Sequence, residues 1–355
     1  MENLVDLYTD YLICSPGGQT TAVGMSKLMG NSMSHDKITR LLSGGMYDSK
    51  YLWQQVKPMV RELSQSSQEI VLSLDDSIEE KRYSDESELI CWHYDHTSQR
   101  SVKGVSFLTA LVNVAGVRLP CAVEFVKKDK WITDKKTGKP KRVNTKTNNE
   151  LYRAMLLRCA TNFRFDYVVS DSWYSASDNM KLIKQTLGVN FVMALRSNRK
   201  VALTQSDKQS NRYISIQSLQ PGQQPMEVWL EKLDFPLLLV KQVFKHGDDT
   251  EGELYLACSD MSLSYDRITT IYKKRWGVEE YHKSVKSNLG FAKSPTHTLR
   301  TQTNHFMLSI LAYTKMEWLK QRQNMNHFAL KARMYQAALK AAYHELKNLS
   351  TPKEA

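Results

Sequence analysis

Hydrophobic and polar positions along the chain change their period several times, and each change marks an element. In TTAVGMSKLMGNSMSHDKITRLLSGG, residues 20–45, a short apolar helix runs into Gly30 and Asn31. Ser34 then caps a second helix whose apolar face is Ile38, Leu41 and Leu42, ended near Gly44 and Gly45. Two short helices across a Gly-Asn turn fit a helix-turn-helix, with His35, Lys37 and Arg40 projecting from the second. From residue 69 the period becomes that of strands. EIVLSLDD reads as a buried strand ending in two aspartates, and SVKGVSFLTALVNVAG with VRLPCAVEFV as a hairpin turning at Ala115 and Gly116. The helix NNELYRAMLLRCAT follows, then the strand FDYVVSD ending at Asp171, a helix over residues 177–187 and the strand NFVMALRSN.

Residues 199–258 break this α/β rhythm. Polar, Gln-rich turns surround the short strands MEVWLEKL, LLLVKQVF and GELYLACS, a β-rich insertion. Helical spacing returns in IYKKRWGVEEYHKSVKSNLGF, residues 271–291, and continues in TQTNHFMLSILAYTKMEWLKQ and HFALKARMYQAALKAAYHELKN. The first of these stretches is unusual. From Tyr272, the residues Arg275, Glu279 and Lys286 fall at roughly 300°, 340° and 320° around one continuous helix, a single narrow stripe. Glu280 is rotated about 100° out of it. A phenol, two cations and a carboxylate in line make an odd core face, although a charged surface helix with i,i+4 ion pairs gives the same spacing.

Composition narrows the partner. The 355 residues are 41% hydrophobic and 24% charged, enough for a large core and ordinary for a globular chain. A net charge of +12 favours a polyanion, nucleic acid before membrane. The segment 127–146, with nine Lys or Arg against two Asp, adds to any phosphate-binding surface. Five scattered cysteines without a CxxC pair argue against zinc or a disulfide framework and read as reduced thiols. His93 and His96, three residues apart, read as polar surface or hydrogen-bonded residues rather than a metal pair. Glu2, Asp6 and Asp10 stand where a secretory signal needs positive charge, and no stretch reaches the length of a membrane span. A soluble cytoplasmic protein is expected.

The acidic residues complete the picture. Asp75 and Asp76 end one strand, Asp171 ends another, and Glu279 sits on the later helix. Carboxylates converging from two strands and a helix suit two hard divalent cations, which clamp the attacking and leaving oxygens of a phosphoryl transfer.

These residues resemble those of the D-D-E transposases of bacterial insertion sequences, in the subgroup marked by Tyr-x2-Arg-x3-Glu-x6-Lys. Tyr272, Arg275, Glu279 and Lys286 match that signature at every spacing, and LDDS and VVSDSWY resemble the other two motif regions, so the likeness covers roughly residues 69–291. The resemblance implies a ribonuclease H-like catalytic core at residues 67–198 and 259–298, interrupted by the β-rich insertion at 199–258. An N-terminal DNA-binding region at 1–66 and a C-terminal helical region at 299–355 flank it. It implies DNA strand cleavage and joining with two Mg2+ ions, Mn2+ substituting, held by Asp76, Asp171 and Glu279. Tyr272, Arg275 and Lys286 would grip transposon-end phosphates, while Lys37 and Arg40 face double-stranded DNA of the terminal repeats.

Asp76 is preferred to Asp75 because the family's aspartate precedes Thr or Ser, and Ser77 follows Asp76. Strand alternation would also let only one of the pair reach the metals. Hairpin-forming members stack a flipped base on a tryptophan of the strand entering the helix. This chain has Leu254 and Tyr255 there, so Tyr255 becomes the candidate base contact. Two ends brought to one target imply a homodimer on DNA, with Phe306, Met307, Ile310 and Leu311, or the alanine-rich face from Ala329 to Ala341 around Met334, as contacts. The cellular place implied is the bacterial cytoplasm, on the nucleoid when bound to DNA. A nuclease that cuts without joining and a domesticated DNA-binding regulator are the alternatives.

Overall fold

The computed structural model describes residues 3–15, 20–66, 69–96, 98–135, 137–219, 224–245 and 251–350. Part of the Gln-rich turn and Lys136 of the basic segment lie outside the described residues. Four helices come first: α1 (Leu4–Cys14), α2 (Ala22–Leu28), α3 (His35–Gly44) and α4 (Ser49–Ser66). Strands β1 (Ile70–Glu80), β2 (Cys91–Asp95), β3 (Arg100–Val114) and β4 (Val117–Phe125) follow, then the short pair β5 (Lys130–Thr133) and β6 (Pro140–Val143). Next come α5 (Asn148–Asn162), β7 (Tyr167–Ser170), α6 (Ser177–Lys181), β8 (Asn190–Leu195), β9 (Lys200–Val201), α7 (Gln205–Gln209) and β10 (Ile214–Ser215). Strands β11 (Met226–Val228), β12 (Leu237–Lys245) and β13 (Glu251–Cys258) lead into α8 (Tyr265–Lys273), α9 (Trp276–Asn288), α10 (Leu299–Gln323) and α11 (His327–Ser350).

One mixed sheet organises the molecule, in the order β11-β12-β13-β8-β7-β1-β3-β2 with β4 also paired to β3. β1 runs antiparallel to β3 and parallel to β7, and β7 runs parallel to β8. The β-rich segment extends this sheet, because β13 pairs antiparallel with β8. The β3–β4 hairpin turns at Ala115 and Gly116, at φ 49° and 77°, the left-handed pair that a two-residue connection needs. The basic segment is a structured hairpin, since β5 and β6 pair and Arg142 stacks 4.4 Å from the Trp131 ring centre. β2 had no periodic signal: its buried Cys91 and His93 alternate with exposed Trp92 and Tyr94, too short a run to read.

Helices cover the sheet. Thr147 and Glu150 close a capping box that starts α5. The last residues of the 177–187 helix widen into a π-helical turn over Leu182–Thr186. α10 is apolar around most of its circumference because α1, α3, α4, α9, α11 and β4 all pack on it. Its Phe306 stacks on Phe291 at 4.7 Å, and Phe291 meets Phe107 of β3 at 4.8 Å. Ring pairs of this kind contribute about 0.5–1.5 kcal/mol beyond their burial. Phe306, Met307, Ile310 and Leu311 are therefore core residues of their own chain, which corrects their reading as assembly contacts. The N-terminal helices join the same core: Tyr8 and Leu12 are fully buried, and the Tyr8 hydroxyl lies 2.8 Å from His305 Nδ1.

The middle of this sheet tolerates no extra atom at Gly104, which faces Glu80 of β1 and Cys91 of β2. A Cβ there would lie 2.1 Å from the Glu79 carbonyl oxygen, a backbone atom that cannot move aside. Gly104→Ala is expected to cost about 1–3 kcal/mol in urea unfolding, the usual toll of overpacking. Unchanged stability would contradict this register.

Candidate active site

The sheet opens a cavity where β7 stops. β1 pairs with β7 only from Val71 to Ser73, so its later residues have no neighbour on that side. Asp75 and Asp76 lie just past this point, opposite Thr109 and Leu108 of β3. A cavity of about 1050 Å³ forms there, and Asp75, Asp76, Asp171, Glu279 and Lys286 all line it. The two neighbouring aspartates leave opposite faces of the strand, yet both reach the cavity because the sheet edge is free. Alternation alone had excluded one of them.

Each carboxylate is held by its own local device. Asp171 directly follows β7, and its Oδ1 accepts from the Trp173 amide at 3.0 Å, a turn that aspartate forms with the chain after it. Asp76 accepts from the Tyr174 hydroxyl, and the Tyr174 ring stacks on Tyr152 at 4.6 Å and 13°. Tyr152 in turn is tied to Ser170 at 2.6 Å. Burial raises the pKa of Asp75 well above the usual aspartate range, and the charges of Asp171 and Asp76 add to it against the pull of Arg275. Asp76 is raised by burial with a contribution from Asp171, opposed by the Tyr174 hydrogen bond and His96. Burial raises Asp171, which the Trp173 amide, Arg275 and Arg196 oppose.

The stretch 271–291 is not one helix. Around Lys274 and Arg275 the amides bond three residues back: Lys274 to Ile271, Arg275 to Tyr272, Gly277 to Lys274 and Val278 to Arg275. This tightened turn separates α8 from α9. Gly277 beside it lets the Arg118 side chain lie close, since a Cβ there would come within 2.9 Å of it and the arginine would have to shift. Glu69 fixes the end of α8 by ion pairs to Arg267 at 2.5 Å and Lys274 at 2.6 Å.

The stripe residues and Glu280 separate accordingly. Glu279 faces the cavity, and its Oε1 lies 2.7 Å from Arg275 Nη2. Arg275 Nη1 lies 3.6 Å from Asp75 Oδ2, so one guanidinium spans two carboxylates. Lys286 lines the cavity while bonding the Ile78 carbonyl at 2.5 Å and pairing with Glu79 at 3.6 Å; burial lowers its pKa. Glu280 turns away and pairs with Arg118 of β4.

Tyr272 does not reach the cavity. Its ring is 4% exposed within the cluster beneath α8, its pKa pushed up to about 12 by burial, and it backs the Arg275 guanidinium at 5.7 Å. This corrects its reading as a phosphate contact. Tyr255 is likewise buried, at 2% exposure, with its hydroxyl on Glu253 at 3.0 Å, so the base-stacking role assigned to it does not fit. Lys37 and Arg40 do stand exposed on α3.

Several cavity residues carried no legible signal. His282 is buried with Nε2 unpartnered, and burial holds its pKa down at about 3, so it presents a neutral ring. His93 meets Cys91 Sγ at 3.2 Å and is lowered by burial to about 4. His96 lies on the rim against Trp173. The two histidines thus meet separate partners.

The donor chemistry suits a hard cation. The available donors are carboxylate oxygens; burial raises Asp75, Asp76 and Asp171, and for Asp75 and Asp76 the neighbouring negative charge adds to it. Among the described residues, however, no three His, Cys, Asp or Glu side chains stand close enough to hold a metal ion as they are. The expected meeting of Asp76, Asp171 and Glu279 at one point is not found in this conformation. Arg275 accounts for part of it, since it draws the Glu279 carboxylate to itself.

Comparison with known families agrees with this arrangement. A model of the DDE superfamily endonucleases matches residues 6–215, and a model of the transposase DDE domain matches residues 131–315. Each match covers more than half of the chain. No curated protein matches it. Among the described residues no helix is long and apolar enough to cross a membrane.

The raised carboxylates have a consequence for stability. A carboxyl whose folded pKa lies above its unfolded value favours the folded state below the unfolded pKa of about 3.9, and that contribution is lost as pH rises through the folded value. At neutral pH the ionised cluster therefore opposes folding. Asp75→Asn is expected to raise Tm at neutral pH, with the gain shrinking toward pH of about 4. A gain that stays constant across this range would contradict the electrostatic origin.

Proposed function

We propose a DNA-end cleaving and joining reaction for this chain, which belongs to the DDE superfamily of endonucleases and carries a transposase DDE domain. Membership brings transposase-type DNA cleavage with it. The observation that carries the finer reading is the cavity itself: Asp75, Asp76, Asp171 and Glu279 share one wall with Lys286. The sheet supports assigning a ribonuclease H-like core, because β4-β3-β1-β7-β8 combines three antiparallel strands with two parallel ones. On this reading residues 67–198 and 259–298 are the catalytic core and 199–258 extends it. The spacing of Tyr272, Arg275, Glu279 and Lys286 supports reading the chain as one of the subgroup with that signature.

Asp76, Asp171 and Glu279 would hold divalent cations, Mg2+ or Mn2+, with Asp75 beside them, and the bound metals would supply Lewis-acid stabilisation of the attacking and leaving oxygens. The chain's own groups do the rest. The Arg275 fork suits two phosphate oxygens as well as it suits carboxylates, and Lys286 adds a point charge on the same wall. Tyr272 packs behind Arg275, its ring centre 5.7 Å from the guanidinium carbon. The neutral His282 ring leaves a free nitrogen for a hydrogen bond there.

DNA reaches this wall across basic surfaces. The β5–β6 hairpin offers Lys130, Lys139 and Lys141 to backbone phosphates, and α3 offers Lys37 and Arg40 to a groove, so residues 1–66 serve recognition of the terminal repeat. Two copies on DNA would pair through the end of α11, where Leu339, Tyr343, Leu346 and Leu349 form an exposed apolar row. The resemblance places this work in the cytoplasm, on the nucleoid.

Glu279→Gln removes the carboxylate that faces the cavity with little change of shape. It is expected to lower cleavage of terminal-repeat DNA more than about 100-fold, beyond what changes around a metal's ligands cost. Glu280→Gln, which loses only the pair with Arg118, is expected to leave cleavage within about threefold, as an exposed pair contributes less than about 1 kcal/mol. Both are read by gel assay with Mg2+. Equal losses would contradict the assignment, and cleavage without joined product would make the chain a nuclease.

A further inference from the structure

Three strand ends bring rings and a guanidinium to the rim of the cavity. Tyr94 and His96 come from the end of β2, Trp173 from the turn after β7 and Arg196 from the residue after β8. His96 stands between the other rings, 4.9 Å from Tyr94 at 76° and 5.0 Å from Trp173 at 51°. The Arg196 guanidinium lies 5.1 Å from the Trp173 ring centre. Tyr94, His96 and Trp173 all line the cavity, and Trp173 is fixed there by its amide bond to Asp171.

These rings are not core. Tyr94 is 54% exposed and Trp173 43%, while the core rings beside them, Tyr152 and Tyr174, are fully buried. Folding gains little from large rings left in water, so their placement calls for a ligand with a flat apolar face and a negative charge nearby. A nucleobase with its phosphate has both. Bases stacked in a duplex offer only their edges, so the fitting base is one out of its stack. The carboxylates below the platform are where a phosphate of the same strand would be cut.

We propose that Tyr94, His96 and Trp173, with Arg196, form a stacking platform for an unpaired base of the DNA strand engaged in the cavity. This rests on the reading of the cavity as a DNA-cleaving site. The platform lies on the strand ends of the central sheet, apart from Tyr255, whose ring is closed in. Stacking on such a platform contributes about 1–3 kcal/mol per base and accepts any base, because every base has a π face.

The full-length protein tests it, with divalent cation withheld so that the DNA stays intact. The probes are a synthetic duplex with a single-stranded extension carrying 2-aminopurine and the same duplex made blunt. The wild type is expected to bind the extended probe more tightly and to quench the 2-aminopurine. Trp173→Ala is expected to weaken binding of the extended probe about 5- to 150-fold and to abolish the quenching, with blunt-duplex affinity unchanged. Trp173→Phe is expected to keep most of both. Equal weakening on the two probes, or quenching that survives Trp173→Ala, would overturn the proposal. Competition by free deoxyadenosine monophosphate as strong as by the extended strand would also overturn it, by assigning the rings to a free nucleotide. Cleavage by a wild type that quenches nothing removes the platform alone, whereas quenching by a wild type that cleaves no DNA removes the functional reading.

Discussion

The Arg275 guanidinium, held between Asp75 and Glu279, is the interaction on which the site depends. Three aspartates line a cavity where burial raises their pKa values, with repulsion adding for Asp75 and Asp76, and this cation opposes the shift at Asp75 and Asp171. It sits in the tightened turn between α8 and α9, from which it reaches Asp75 of β1 and Glu279 of α9. Removing the partner of a buried charge is costly, so whatever displaces Arg275 from the carboxylates must itself be positive. Divalent cations on the carboxylates and phosphates on the guanidinium would exchange partners without leaving either unpaired.

The rest of the molecule holds that geometry. Lys81, buried just past β1, donates to the Ala292 and Ser294 carbonyls and fastens the segment after α9 to the catalytic strand. From the other side Glu317 of α10, itself buried, binds Tyr313, Lys320, His327 and the Arg118 amide. Arg118 then pairs with Glu280, so α9 is anchored through the residue that turns away from the cavity while its neighbour faces in. The terminal helices thereby share one core with the sheet that carries the aspartates.

Much of this was legible in the sequence because period and chemistry agreed. The hairpin at Ala115 and Gly116, the strands carrying Asp76 and leading to Asp171, and the cap at Ser34 all rest on local rules. What escaped depends on contacts distant in sequence. Whether Tyr272 and Tyr255 face solvent or core is set by packing that helical or strand spacing cannot express. The free sheet edge that lets both Asp75 and Asp76 into the cavity exists only because β7 is short. The row on α10 looked available for a partner because an apolar stripe on a helix gives no sign of which neighbours cover it.

The central claim is that the carboxylates around Arg275 form a divalent-cation site. Titrating Mn2+ into the protein at neutral pH, followed by electron paramagnetic resonance of the free ion, tests it most directly. Mn2+ uptake is expected for the wild type, with the affinity weakened at least about 10- to 100-fold in Asp171→Asn, which removes the carboxylate charge from the turn after β7. Equal uptake by both proteins would place the cation elsewhere and contradict the account.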